Sequence, residues 1–500
     1  MEEAKVVKEI IMKKDKEQTT YTYEEALALI LDCGLSKMDY QTLRDGAKEK
    51  GLNLYPAYNF VRTEKENCIP ASGIHAEDYS AEVDLQSLLD HTAERCFRCR
   101  VKVNLEPGQK LELISKFGFD GSTGQSVYKQ PTLEGIDRLD YAIEESLFMT
   151  CMVPLQLRIV ETGEILWNNE KPSSTLYCRP IRFRYTKETK EIILEEERFL
   201  TSKDFQPTML GENQCFHKVE LTMIDGKVAT VLSDKTSSTQ CCSICGCSPK
   251  QMNDLEVVKT LSDQVENDNF NHGLSTLHAW IRCMEFCLHL SYRLEIKSWQ
   301  VKAVNKEVVQ IRKDKLRRVI RERLGLTVDV PSSGGSGTTN DGNCARRFFR
   351  DHKIVAEILE IKEELIKNLY VILCVLSSTE EIDADKLEQF CLNTLKIHIE
   401  NYSWFCLPQA VHKILVHGHQ VVKAKCLPLG MLSEEAQEAQ NKHFKNFREK
   451  FTRKISREKT NMDMMRRLLC HSDPVISSLR RSEGKKKLME LPEESKYLLL

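Results

Sequence analysis

Between residues 110 and 224 the apolar residues recur in β-like runs, whereas beyond 236 they recur at helical spacing. A chain with this break is neither all-helical nor all-β. Runs at 111–119, 146–160, 164–168, 182–186 and 217–224 read as strands. Glu161-Thr162-Gly163 joins two of them as a hairpin. A helix is expected at 187–203. Two runs end in the same pair, Asp120-Gly121 and Asp225-Gly226, about a hundred residues apart.

The remaining elements read as helices. Residues 20–50 give two short ones, stopped at Gly34 and near Gly51, and 83–95 gives another. Residues 56–105 are otherwise irregular. Leu274, Leu277, Ile281, Met284 and Leu288 mark a helix; 306–324 is a basic helix and 346–375 one long apolar helix. Phe444, Phe447, Phe451 and Ile455 form a stripe along a helix at 436–459, with a basic outer face. The Gly/Ser/Thr stretch at 331–342 lacks the Gly-Lys-Ser/Thr ending of a phosphate loop and reads as a linker.

Composition bounds the class. Gly at 22 and Pro at 14 in 500 residues exclude collagen-like and low-complexity chains, and about three modules are expected at roughly 150 residues each. The net charge of −2 argues at first against a polyanion partner, but it is unevenly spread. Residues 301–325 carry +6 and 441–490 carry +9, which leaves −17 for the rest. Two basic clusters in an acidic chain mark a polyanion-binding surface. No apolar run of 18 residues suits a membrane span, and the opening MEEAKVVKEI has no leader pattern. The reading expects an intracellular protein.

Nineteen cysteines, an odd number clustered at short spacings, suit thiols in a reducing setting and metal sites rather than a disulfide framework. Cys242-Ser-Ile-Cys245 has the spacing of a zinc knuckle, with Cys241 and Cys247 as alternative ligands. His412 and His417 fall within the H-x₃₋₅-H window, with His419 ranked below His417. Together the four residues complete one tetrahedral Zn²⁺ site. A finger cannot span the gap between the pairs, so the metal would clip distant segments of one domain. Cys96-Phe-Arg-Cys99 is a separate C-x-x-C motif.

Asp120 and Asp225, each after a β-run, stand where a sheet presents ligands to a divalent ion. Mg²⁺ prefers few carboxylates together with substrate phosphate oxygens. Two such ions about 3.5–4 Å apart serve phosphoryl transfer. The set needs a third acid, and Glu434 and Glu435 open the basic helix.

These residues, in this order, resemble Transib transposases, relatives of the catalytic subunit of the vertebrate V(D)J recombinase. Phe119-Asp-Gly-Ser-Thr-Gly-Gln-Ser-Val-Tyr-Lys-Gln130 resembles the first catalytic segment and Met223-Ile-Asp-Gly-Lys-Val228 the second. Lys171-Pro-Ser-Ser-Thr-Leu-Tyr-Cys-Arg-Pro180 resembles the region between them. Asp341-Gly-Asn-Cys-Ala-Arg-Arg347, Val411-His-Lys-Ile-Leu-Val-His417 and the stretch from Ser433 to Arg448 match further segments. The resemblance covers roughly 110–460. It implies an α+β multidomain chain, with a ribonuclease-H-like core interrupted by a large, mostly helical zinc-binding insertion. It implies an acidic triad of Asp120, Asp225 and Glu435, with Glu434 the neighbouring alternative, holding two Mg²⁺ or Mn²⁺. It places one structural Zn²⁺ on Cys242, Cys245, His412 and His417.

The expected organisation is a helical dimerisation and DNA-binding domain at 1–65 and a connecting region at 66–108. The first part of the core follows at 109–235. Zinc-binding regions at 236–300 and 301–428 carry the Cys and His pairs. The last catalytic helix lies at 429–460 and a basic C-terminal region at 461–500. The recombinase's RING and nonamer-binding parts have no counterpart here. The expectation is a nuclear, homodimeric cut-and-paste transposase. It would bind terminal inverted repeats, flanking and target DNA, with no membrane and no nucleotide cofactor. The rival expectation is a domesticated, catalytically silent DNA-binding protein.

Overall fold

A computed structural model describes residues 20–500 except 102, 104, 125–144, 203, 234–239, 332–337 and 482–490. The expected motif residues 125–130, and half of the loop at 331–342, lie outside the described residues.

One mixed sheet contains every named strand: β1 (His75–Ala76), β2 (Ser80–Glu82), β3 (Lys110–Ser122), β4 (Leu147–Ile159), β5 (Ile165–Asn168), β6 (Arg179–Arg184), β7 (Thr208–Leu210) and β8 (Asn213–Met223). Their order is β1-β2-β6-β4-β3-β8-β7, with β5 pairing on β4 as the expected hairpin. β4 is buried along almost its whole length, as its unbroken apolar run requires of a strand covered on both faces. Pro154 interrupts that run where the β3–β4 register shifts, a position that tolerates its missing N–H.

β3 pairs antiparallel with β4 and parallel with β8. The parallel register slips between Phe117 and Gly118, where Gly118 lies opposite Met223. A Cβ at Gly118 would stand 1.9 Å from the Met223 carbonyl oxygen, so only glycine lets the strands close there. Asp120 and Asp225 thereby sit at the same end of two neighbouring parallel strands.

Helices cover the rest. α1 (Tyr23–Cys33), α2 (Lys37–Glu49) and α3 (Tyr58–Glu66) open the chain; Thr22 and Ser36 cap the first two through capping boxes, and Gly34 ends α1 at φ 63°. Their small core of Leu27, Ile30, Tyr40 and Val61 also takes in Cys470 and Ile476, so the first described helices pack against the segment around 470–476. α4 (Leu85–Arg98) and α5 (Lys190–Thr201) flank the sheet, and α6 (Gly226–Val231) leaves β8 directly. α3, β1 and β2 fall in the stretch read as irregular: α3 is a single short amphipathic segment, and the two strands total five residues.

From α7 (Leu255–Asp263) onward the described residues form no named strand. α8 (Thr276–Tyr292) and α9 (Lys306–Leu324) match the expected helices. The single long helix expected at 346–375 is three: α10 (Gly342–Arg350), α11 (His352–Leu359) and α12 (Glu363–Leu376). The chain breaks at Asp351 and again at Glu360, which is left-handed at φ 58°. Tertiary partners support the second break. The Ser291 hydroxyl donates to the Leu359 carbonyl at 2.7 Å, and Arg312 pairs with Glu360 at 3.2 Å. α13 (Ala384–Tyr402), α14 (Gln409–His412) and α15 (Gly418–Ala424) follow.

α16 (Glu435–Lys450) returns to the sheet and packs on β3, β4 and β8. Phe444 meets Phe183 edge-on at 5.0 Å, and the Gln437 amide donates to the Met149 carbonyl at 3.1 Å. The stripe expected through 459 stops early. Ser456 caps α17 (Arg457–His471) by accepting from the Lys459 amide, so the chain turns after Phe451 and leaves Ile455 73% exposed. α18 (Pro474–Leu479) closes beside α1 and α4.

Candidate active site and metal centre

Asp120, Asp225 and Glu438 line one cavity of about 110 Å³, together with His278, Glu434 and Gln437. Asp120 accepts a hydrogen bond from the Asn441 amide at 2.7 Å. Its carboxyl is pushed up to about 7, mainly by burial and then by the charges of Asp225, Glu188 and Glu438, against a small opposing effect of His278. Asp225 caps α6, its Oδ1 accepting from the Val228 amide at 2.7 Å. Glu188 stands beside both strands, accepting from the Gly121 amide at 3.1 Å and from Lys227 at 2.6 Å. Glu438 is the more open member, its side chain 43% exposed and 3.7 Å from Lys442 Nζ. A divalent cation would relieve the raised carboxyl of Asp120, and the carboxylates gathered here fit one.

The geometry does not bring Glu435 to this cavity. Glu435 opens α16 and forms an ion pair with Arg346. Glu434 does line the cavity but is committed elsewhere: it accepts from the Ser275 hydroxyl and lies 3.1 Å from His278 Nδ1. Burial alone would raise the Glu434 pKa, yet His278 and Ser275 together hold it below its ordinary value. His278 is correspondingly raised against its own burial by Glu434 and Asp225. The acid that lines the cavity and was not considered in the sequence is Glu438. At about 100° per residue, positions 434 and 438 share a face and 435 turns away. The signal was the buried series Gln437, Gln440, Asn441 and Phe444, which fixes the inward face of α16.

Beneath the neck of β3, Lys116 is fully buried and donates to the Met431 and Ser433 carbonyls at 2.8 and 2.6 Å. It ties the strand bearing Asp120 to the segment entering α16.

Cys242, Cys245, His412 and His417 come together as the spacing anticipates. Among the described residues they form the group of three or more Cys, His, Asp or Glu whose ligand atoms all lie within 4.8 Å of one another. The knuckle turns at Gly246, φ 75°, with the Gly246 amide donating to the Cys242 carbonyl at 2.8 Å. The histidines converge because residues 413–417 form a π-turn. In a regular α-helix, positions five apart would diverge by about 140°, and the wider turn narrows that offset. Gln420 Oε1 lies 2.7 Å from His417 Nδ1, leaving His417 Nε2 buried without a hydrogen bond. Burial lowers the His412 pKa and favours the neutral imidazole that ligates. Two thiols and two imidazoles in a closed, buried set could hold a metal such as zinc.

Of the alternatives, Cys241 and Cys247 stay outside the group, and His419 faces Glu388 at 3.7 Å. Neither Cys96 nor Cys99 joins a metal-type group among the described residues; Cys96 is buried and Cys99 lies 3.9 Å from the Ser478 hydroxyl.

No protein-family model and no curated protein matches the chain. Among solved structures it is similar to a Drosophila P element transposase in a strand transfer complex, at 9% identity and a TM-score of 0.31. That match covers 95% of this chain and 100% of the other. A likeness at that level specifies neither fold nor activity. Among the described residues, no helix is long and apolar enough to cross a membrane.

Proposed function

We propose that this chain is a metal-dependent DNA transposase of the Transib type, with Asp120, Asp225 and Glu438 as its acidic triad. The observation that carries the reading is the meeting of these three carboxylates in one cavity, on neighbouring parallel strands and the helix packed against them. The central strand order β6-β4-β3-β8, with β3 parallel to β8 and antiparallel to β4, is what a ribonuclease-H-like core requires. The helical stretch between β8 and α16 then corresponds to the zinc-clipped insertion.

Two Mg²⁺ or Mn²⁺ ions on these carboxylates would activate the attacking oxygen and steady the leaving one. Asn441 fixes the rotamer of Asp120, and α6 fixes that of Asp225. The His278–Glu434 pair walls the cavity without spending its charge on a metal. In this reading the protein acts in the nucleus as a homodimer on terminal inverted repeats. It nicks one strand, and the released 3′-OH attacks the opposite strand to leave a hairpin on the flanking DNA. The free transposon end then joins target DNA. Exposed Lys and Arg of α9 and α16 supply phosphate contacts that fix position rather than sequence.

The test is incubation of the purified chain with a labelled terminal-repeat duplex and Mg²⁺ or Mn²⁺. Nicked and hairpin products, absent with Asp225→Ala while repeat binding persists, are expected. A folded, DNA-binding sample that never nicks would instead match a domesticated, silent protein.

A further inference from the structure

A second cavity, about 490 Å³, opens beside the acidic one and shares Asp225 and His278 with it. Its volume suits a ligand the size of one nucleotide rather than a lone ion. Its lining is cationic: Lys227, Lys413 and Arg282, with His272. Two of these cations are already engaged, Lys227 by Glu188 at 2.6 Å and Arg282 by Glu285 at 2.7 Å. Burial keeps His272 neutral, pushing its pKa down to about 4.

Lys413 is different. It is partly buried, and its side-chain amine makes no hydrogen bond or ion pair with any described residue. Asp225 lines the same cavity. Lys413 follows His412 directly, so the Cys/His group fixes the turn that aims it at the cavity. An amine held this way, away from bulk water and next to a reactive carboxylate, gains most from an anion brought in by the substrate.

We propose that this cavity receives one nucleotide of the DNA strand beside the cleavage point, with its phosphate on Lys413. The inference rests on the reading of Asp225 as part of a nuclease site. It makes the metal clip a positioning device as well as a staple, because the same turn that ligates through His412 and His417 presents the lysine.

The test is binding of a short oligothymidylate to the full chain, titrated over several KCl concentrations without divalent metal. Wild type is compared with Lys413→Met, Lys413→Arg and the cavity-filling Ala410→Leu, and zinc content is measured for each. Lys413→Met should weaken binding about tenfold and flatten the slope of log affinity against log salt by roughly one unit, whereas Lys413→Arg should keep both. Ala410→Leu, which leaves the lysine in place, should also weaken binding. Zinc content should be unchanged throughout. Equal affinity and slope for wild type and Lys413→Met would overturn the proposal. So would loss of zinc from Lys413→Met combined with wild-type binding by Ala410→Leu, which would make the lysine a neighbour of the thiolates only. Failure of the wild type to cut duplex DNA in a parallel assay, with these binding differences intact, would count against the nuclease reading and leave the cavity assignment standing.

Discussion

The Asn441 amide on α16 holds the Asp120 carboxylate on β3 at 2.7 Å, across 321 residues of chain. This bond sets the helix in register with the strand, and Glu438 reaches the cavity because it lies one turn before Asn441. The acidic site is therefore a property of helix-on-sheet packing, and it depends on how closely β3 and β8 approach.

That closeness gives the first prediction. Gly118→Ala places a Cβ against the Met223 carbonyl, where backbone cannot yield cheaply. The variant should lose about 2–3 kcal/mol of stability, measured by urea unfolding. DNA cleavage should fall further than stability explains, since Asp120 and Asp225 are pushed apart. Wild-type unfolding would show that the strands adjust freely.

Metal in the Cys/His group should be structural. Cys242→Ser is expected to lower zinc content and thermal stability together, at the large end of single-substitution effects, about 4 kcal/mol or more. Cys241→Ser and Cys247→Ser should retain the metal. Elemental analysis alongside calorimetry reads both quantities.

How much of this was legible in the sequence differs from residue to residue. The strand-end aspartates and the Cys/His pairs could be read because a β-run followed by Asp-Gly, and ligands at fixed spacing, are local patterns. The third acid could not be settled locally. Glu434, Glu435 and Glu438 stand within five residues, and the choice depends on the face that α16 turns to the sheet. The breaks at Asp351 and Glu360 carry no Gly or Pro, and the tertiary partners of the second, Ser291 and Arg312, lie in other helices. Ile455 continued the aromatic stripe in sequence only, because capping by Ser456 starts a new helix.

Lys116 should leave a signature in the pH dependence of stability. Burial pushes its pKa down to about 7, partly offset by Cys178, Glu434 and Glu435. Above pH 7 the folded lysine has released a proton that the unfolded chain holds until about 10.4. Stability should therefore rise with pH across that window, by up to about 1.4 kcal/mol per unit, and level off below pH 7, where both states hold the proton. The difference between wild type and Lys116→Met, followed by urea titration from pH 6 to about 10, isolates it; parallel curves would contradict the assignment.

DNA affinity should respond to the exposed face of α9. Lys315, Arg318 and Arg321 are exposed there, whereas Arg312 is buried and bonded to the Ser291 carbonyl. Replacing the exposed three by alanine should flatten the salt slope by up to roughly three units without altering the unfolding midpoint. An unchanged slope would move the phosphate track away from α9.

The most direct test of the central claim is single-strand nicking of a labelled terminal-repeat duplex in Mn²⁺ by three chains: wild type, Glu438→Gln and Glu435→Gln. All three should bind the duplex equally. Glu438→Gln should lose at least about a thousandfold in nicking rate, roughly 4 kcal/mol of transition-state stabilisation, while Glu435→Gln stays within about tenfold of wild type. Full nicking by Glu438→Gln, or its abolition by Glu435→Gln in a folded protein, would contradict the triad of Asp120, Asp225 and Glu438.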